Sequence, residues 1–203
     1  MKRLYGVVMH QLGRRAGLNV FRVLSQAFAS SPQQEPAGME VRTLDASELL
    51  PHCSLELDLT PTMVREAARR GDVCVGALSS GQLAGYVWFA RQEAPHVRGV
   101  WVRVPEQAIY RYKAFVRPEW RGRRIAPALD AFAARLFRSS GRDCFVTCIA
   151  THNFSALRAS KVSGARELGT LGYWQAGSRF VAFHSAAIRR LGLRFYFRGD
   201  GNA

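Results

Sequence analysis

The chain is short of acid. Its 203 residues carry 15 Asp and Glu against 29 Lys and Arg, a formal net charge of +14. The imbalance is concentrated: residues 1–30 hold Lys2, Arg3, Arg14, Arg15 and Arg22 with no carboxylate, and residues 111–142 hold nine basic residues against Glu119 and Asp130. Such a field draws polyanions and speeds their encounter. No DNA- or RNA-reading motif accompanies it, so nucleic acid is disfavoured as a partner. Long apolar runs are missing too, and without about 18 consecutive apolar residues no transmembrane helix is expected. Lys2 and Arg3 precede a segment broken by His10, Gln11, Arg14 and Arg15, which fits a secretory signal poorly. A cytoplasmic location is expected. The four cysteines, Cys53, Cys74, Cys144 and Cys148, form no Cys-x-x-Cys pair and the five histidines are dispersed, so no metal site is assigned. Cys144 and Cys148 fall on a predicted strand and read as small hydrophobes in a reducing compartment.

What is present suffices for one domain with a sizeable core, at 48% hydrophobic residues. Residues 1–38 read as a basic, partly amphipathic extension and linker, interrupted by Gly13 and Gly17 and ending in a stretch rich in Ser, Pro and Gln. The main domain is expected over 39–187 and a basic tail over 188–203. Within the domain, Glu40–Leu44 reads as a strand, with Asp45 as a cap for the segment after it. Thr60 caps a helix over Pro61–Arg70, with Pro61 at its first position. Val73–Leu78 and Leu83–Arg91 form a hairpin. Glu93–Pro105 reads as a Pro-containing connection. Further strands are expected over Ala108–Val116, Cys144–Ala150, Glu167–Gln175 and Arg179–Ser185.

The most informative stretch is Val116-Arg-Pro-Glu-Trp-Arg-Gly-Arg-Arg-Ile-Ala126. An alternating strand runs into it, and Ile125, Leu129, Phe132, Ala133, Leu136 and Phe137 recur at helical spacing beyond it. A turn between strand end and helix start presents unpaired N–H groups and the positive end of the helix dipole, a seat for phosphate. The stretch resembles the acetyl-CoA-binding motif of the GCN5-related N-acetyltransferase (GNAT) superfamily, Val-x-Pro-x-x-(Arg/Gln)-x-x-Gly-x-(Gly/Ala), on Val116, Pro118, Arg121 and Ala126. Arg124 stands where the family prefers glycine. It must either take ordinary helical angles or weaken the cradle, and with Arg123 it could lend a cation. A second segment, Asn153-Phe-Ser-Ala156 through Gly164-Ala165, resembles the family's other cofactor motif on Asn153, Ala156 and Gly164. Ser160 and Ala165 occupy its tyrosine and phenylalanine positions.

The resemblance implies an α/β fold with a mixed, mainly antiparallel central sheet flanked by helices, here preceded by the basic N-terminal extension. It implies acetyl-CoA as cosubstrate, its pyrophosphate held by Arg121, Gly122, Arg123, Arg124, Ile125 and Ala126. Asn153 would meet the pantetheine arm, and amides of Ala114, Phe115 and Val116 would polarise the thioester. The tyrosine that often protonates the thiolate is replaced by Ser160. Where several members carry a glutamate base the chain has Tyr110, with Tyr112 on the same strand face and Glu106 near the strand start. These three are the catalytic candidates, although strand tyrosines are more often core and loop glutamates more often solvated. His152 and His184 are weaker base candidates. Arg111 and Lys113, on the opposite face, must meet solvent, an internal acid or an anionic ligand. They suggest an anionic amine acceptor, and the basic segments 1–30 and 188–198 suggest peripheral contact with an anionic membrane. The expected activity is acetyl transfer to a primary amine by direct attack in a ternary complex. A CoA-binding protein without turnover and a basic nucleic-acid-binding protein are the alternatives. Oligomeric state is not legible.

Overall fold

The computed structural model describes residues 2–28, 36–97 and 99–198. The linker expected to close residues 1–38 lies largely outside these residues, as does the end of the tail. Helices are α1 (Lys2–Ala16), α2 (Ala46–Leu49), α3 (Pro61–Arg70), α4 (Ile125–Arg138), α5 (Phe154–Val162) and α6 (Ala186–Leu191). Strands are β1 (Leu18–Ala27), β2 (Glu40–Leu44), β3 (Val73–Ser79), β4 (Gln82–Ala90), β5 (Glu93–Val97), β6 (Val100–Arg103), β7 (Ala108–Val116), β8 (Cys144–Ala150), β9 (Arg166–Ala176), β10 (Arg179–His184) and β11 (Arg194–Phe197). The result is a mixed, mainly antiparallel α/β fold with helices flanking the sheet, as expected. Among the described residues no helix is long and apolar enough to cross a membrane.

Two compact units share these elements: Met1–Ala27, Gln92–Tyr110 and Cys144–Ala203 form one, Phe28–Arg91 and Arg111–Asp143 the other. In the first, β8 pairs antiparallel with β1, β1 with β9, and β9 with β10. The start of β7 runs parallel to β8 over Ala108–Tyr110. In the second, β7 continues beside β4, then β3 and β2. The β3–β4 hairpin turns through Ser80 and Gly81, both at positive φ (48° and 78°), as a tight two-residue turn requires.

The N-terminal boundary is corrected by β1. Its residues pair on both sides, Phe21 with Ala150 of β8 and with Leu171 of β9, so 18–27 is an interior strand and not an extension. Gly17, at φ +68°, ends α1 and redirects the chain; a Cβ there would fall 1.8 Å from Gln175 O. Val23 and Leu24 are fully buried. The tail is likewise structural: Ile188 of α6, Leu193 and Phe195 are buried, and β11 pairs with β6. The expected connection over 93–105 contains β5 and β6. Pro95 is tolerated because β5 is the outer strand of a three-stranded sheet, with a register shift between Pro95 and Val97.

Other local expectations agree with the chemistry that motivated them. Asp45 and Glu48 form a reciprocal capping box on α2, and Thr60 Oγ1 accepts from Met63 N at the start of α3. On α4, Ile125, Leu129, Ala133 and Phe137 are buried, whereas Leu136 is exposed. The core of the second unit gathers Leu44, Leu49, Leu57, Leu59, Val64, Leu83, Tyr86 and Trp88. In the first unit His96 is enclosed by aromatic rings, with centroids 4.6 Å from Phe21 and 4.8 Å from Phe195.

Burial pushes the His96 imidazole down to about 4 from its ordinary value near 6.5. The unfolded chain therefore binds a proton below pH 6.5 that the folded chain refuses until about pH 4, so stability falls as pH drops through that window. By about pH 4.5 this group should cost about 2–3 kcal/mol. Urea denaturation at about pH 7 and about pH 4.5 should show wild type losing that much more than His96→Phe. Equal losses would mean that the ring is not shielded from protonation.

Candidate functional site

The turn from β7 into α4 is built from unusual backbone. Beyond Val116 the chain makes a short 3-10 turn over Pro118–Trp120, and Arg121 is extended. Gly122 then takes φ +80° and Arg124 takes φ 60°, ψ 21° before the helix begins at Ile125. The backbone thus answers the question posed by Arg124: it occupies the left-handed region that a glycine would, at a strain of about 1–2 kcal/mol. No side chain caps α4. The N–H groups of Ile125 and Ala126 have no intrahelical acceptor by position, and Pro127 contributes none. Residues 121–124 are exposed, and a Cβ on Gly122 would meet nothing within 4 Å. Left-handed residues at a helix start fold amide groups into a concavity suited to an anion, and the helix dipole adds to it. Arg121 Nε donates to Val116 O (3.2 Å), and the Arg123 guanidinium lies 4.7 Å from the Trp120 ring centroid.

Gly85 on β4, which sequence reasoning did not single out, makes room for this turn. A Cβ there would stand 2.9 Å from Phe115 O, 3.1 Å from Val116 Cγ2 and 3.3 Å from Ile125 Cγ2. A glycine within a strand is the available signal for such close approach. The same contacts orient β7. Arg117 N donates to Ala84 O (3.0 Å), and the Phe115 carbonyl lies toward Gly85. Strand alternation therefore turns the Ala114 and Val116 N–H groups away from β4 and the Phe115 N–H toward it. Of the three amides expected to polarise a carbonyl, those of Ala114 and Val116 turn away from β4 and that of Phe115 turns toward it; the Phe115 ring packs near Tyr86 (ring centroids 6.1 Å apart).

The side chains of β7 are committed internally. Tyr112 Oη donates to Asp72 Oδ2 (2.9 Å), which also accepts from Arg70 Nε (3.1 Å) and Arg70 Nη2 (2.8 Å), joining the strand to the end of α3. Burial and the Asp72 charge raise the Tyr112 phenol well above its ordinary value, so it keeps its proton. Tyr110 is only 2% exposed; burial and Cys148 raise its phenol too, while Cys148 itself is pushed up to about 12 by burial. Glu106 sits exposed in the turn before β7. Arg111 Nε lies 2.9 Å from Asp130 Oδ1 of α4, a charge pair lacking the alignment of a hydrogen bond. Burial raises the Asp130 carboxyl and Arg111 opposes that shift. Lys113 Nζ meets Asp58 Oδ2 at 2.6 Å. Both cations thus have internal acids, the bland alternative raised for them, and the anionic acceptor they suggested loses its structural motive on β7.

On the other unit, Asn153 caps α5: its Oδ1 accepts from Ala156 N (3.2 Å) and Ser155 Oγ (3.0 Å). Ser160 is half-buried, and its carbonyl accepts from Ala165 N. His152, just before the cap, meets His10 of α1 edge-on with ring centroids 5.7 Å apart. Burial and the neighbouring imidazole lower the His152 pKa. His184 is exposed at the end of β10. Among the described residues no group of three or more His, Cys, Asp or Glu could hold a metal ion.

No family model and no curated protein matches the sequence. Solved structures do match the fold. The aminoglycoside N-acetyltransferase AAC(6')-Iy, in a structure with CoA, aligns at TM-score 0.51 and 16% identity, covering 75% of this chain and 99% of that one. A GNAT-family putative acetyltransferase from Novosphingobium aromaticivorans aligns at TM-score 0.50 and 19% identity, covering 75% of this chain and 62% of that one. This chain spans about half the length of some matched structures, for example 54% of a Drosophila protein. The chain has a GNAT-superfamily fold.

The Arg111–Asp130 pair joins β7 to α4, and that geometry predicts strong coupling. Removing only the cation in Arg111→Met leaves a buried carboxylate uncompensated and should cost about 3–5 kcal/mol. Arg111→Met/Asp130→Leu should recover part of that loss in chemical denaturation. Additive losses would show that the two charges do not depend on each other.

Proposed function

We propose that this chain is a CoA-dependent N-acyltransferase, transferring an acyl group, in the simplest case acetyl, to a primary amine. The observation that carries the reading is the turn into α4, where left-handed Gly122 and Arg124, exposed residues 121–124 and a helix start without a side-chain cap come together. Their chemistry fits a pyrophosphate, which needs several donors at close range and tolerates no intervening side chain. The Arg124 cation adds charge at the same place. The Ala114 and Val116 N–H groups, on the strand entering that turn, are suited to hold a thioester carbonyl and the negative charge that gathers on its oxygen as an amine attacks. Direct attack then needs a neutral amine and a route for its proton, and the β7 phenols do not supply one, since both hold their protons tightly. The fold shared with an aminoglycoside N-acetyltransferase supports this class of chemistry. A cytoplasmic location is consistent with a CoA-dependent reaction and belongs to the same proposal.

One observation favours a second reading, a CoA-binding protein without turnover: Tyr110 and Tyr112 are tied internally, and Ser160 stands where the resemblance places the proton donor. Thiol release from acetyl-CoA in the presence of an amine panel distinguishes the two.

Calorimetry tests the cradle directly. Gly122→Glu should weaken CoA binding by at least about tenfold, through charge repulsion and a side chain at the phosphate. Gly122→Asn, neutral and tolerant of the left-handed region, should retain most affinity. Undiminished CoA affinity in Gly122→Glu would sink the assignment.

A further inference from the structure

A second concave surface lies wholly within the first unit. An open cavity of about 960 Å³ is lined by the last turns of α1, the start of β1, His152 and the end of β9. Its lining brings together His10, Arg14, Arg15 and His152 with Asn19 and Gln175, and contains no carboxylate. Neither Arg14 nor Arg15 has an acid within ion-pair distance among the described residues.

The surroundings fix the floor of this cavity. Gln175 N donates to Gly17 O (3.1 Å), and Asn19 Nδ2 donates to the same carbonyl (3.2 Å). Gly17 and Gly13 permit the close approach. A Cβ at Gly13 would stand 2.9 Å from Asn19 Oδ1, and one at Gly17 would collide with the Gln175 backbone. Two arginines in the last turn of a helix are commonly explained by the partial negative charge of its terminal carbonyls. That accounts for a fraction of one charge. It does not account for two full cations and two imidazoles gathered without an acid. Cations left unmatched around a concave surface are what a small anion requires, since guanidinium offers paired donors to carboxylate or phosphate. The volume suits a small molecule.

We infer that this cavity binds the anionic end of the acyl acceptor, a small amine that also carries a carboxylate or a phosphate. This rests on the acyltransferase reading: His152 lies in the cavity lining and the next residue, Asn153, is the one the resemblance gives to the pantetheine arm. An amine that is protonated at neutral pH would be repelled by Arg14 and Arg15 unless it brought negative charge of its own. The anionic group therefore supplies the attraction, and neutral or polycationic amines are discriminated against. The cations the sequence offered for this task, Arg111 and Lys113, are engaged by Asp130 and Asp58, whereas Arg14 and Arg15 on a segment read as an extension are available.

The experiment tracks the His10 and His152 imidazole signals by NMR in the full chain, at constant pH and ionic strength, while inorganic phosphate or L-glutamate is added. Arg14→Gln/Arg15→Gln, both at exposed positions, serves as the comparison. A saturable shift with either probe, weakened about tenfold or more in the double variant, is expected. A response to phosphate alone assigns the phosphate class, and a response to glutamate alone the carboxylate class. The titrations are repeated in Gly122→Glu to separate this cavity from the α4 turn, and the imidazole shifts should persist there. Loss of CoA binding to wild type with the shifts retained would overturn the acyltransferase reading but leave the anion cavity standing. In steady-state assays, the double variant should raise KM for amines carrying a carboxylate or phosphate and lower KM for analogues lacking the anionic group, narrowing the discrimination between them. The proposal fails if neither anion moves the imidazole signals, or if both variant and wild type respond equally.

Discussion

The passage from β7 into α4 is the constraint on which the second unit depends. A strand must end, reverse through left-handed residues, and begin a helix whose first turn has no cap. Such backbone is strained, and it persists because the elements on either side are held elsewhere. Arg111 reaches from the strand to Asp130 on the helix, Arg117 bonds to the Leu83 carbonyl on β4, and Gly85 gives the turn space to sit against the sheet.

The same anchoring explains why the polar side chains of β7 are poor candidates for chemistry. Tyr112, Asp72 and Arg70 form a chain of charge-assisted bonds, and Lys113 closes on Asp58. A strand with two arginines and a lysine among its neighbours looks from the sequence like a ligand surface. In the fold it is a strand whose cations meet acids brought from α4 and the loop before α3. Its backbone differs from its side chains, since the amides of Ala114 and Val116 turn away from β4.

In the first unit the comparable constraint is Gly17. Ending α1 with a left-handed glycine pressed against the Gln175 backbone lets the chain enter β1 at once, and places the arginines of the helix end beside His152. Basic charge that would be solvated on a free extension is thereby gathered on a concave surface. Both units thus concentrate positive charge or unpaired donors, one through amides and the other through side chains.

The local features were legible because their causes are local. The alternation of Ala108–Val116, the capping box at Asp45, the Thr60-Pro61 start of α3 and the turn before α4 each depend on residues a few positions apart, so sequence alone fixes them. The conformation of Arg124 was left open because a left-handed arginine is strained, and only the neighbours that enforce the turn decide whether it is adopted. The partners of Arg111, Lys113 and Tyr112 come from segments 19 to 55 residues away. No periodicity encodes such pairings. Least legible was β1: its residues read as part of a basic, partly amphipathic extension, and its membership of the sheet is set by β8 and β9, more than a hundred residues later in the chain. Sequence determined most of the strands and helices and the turn before α4. Tertiary structure decided which charges are matched and which remain, because hydrogen bonds and ion pairs are made by proximity in space.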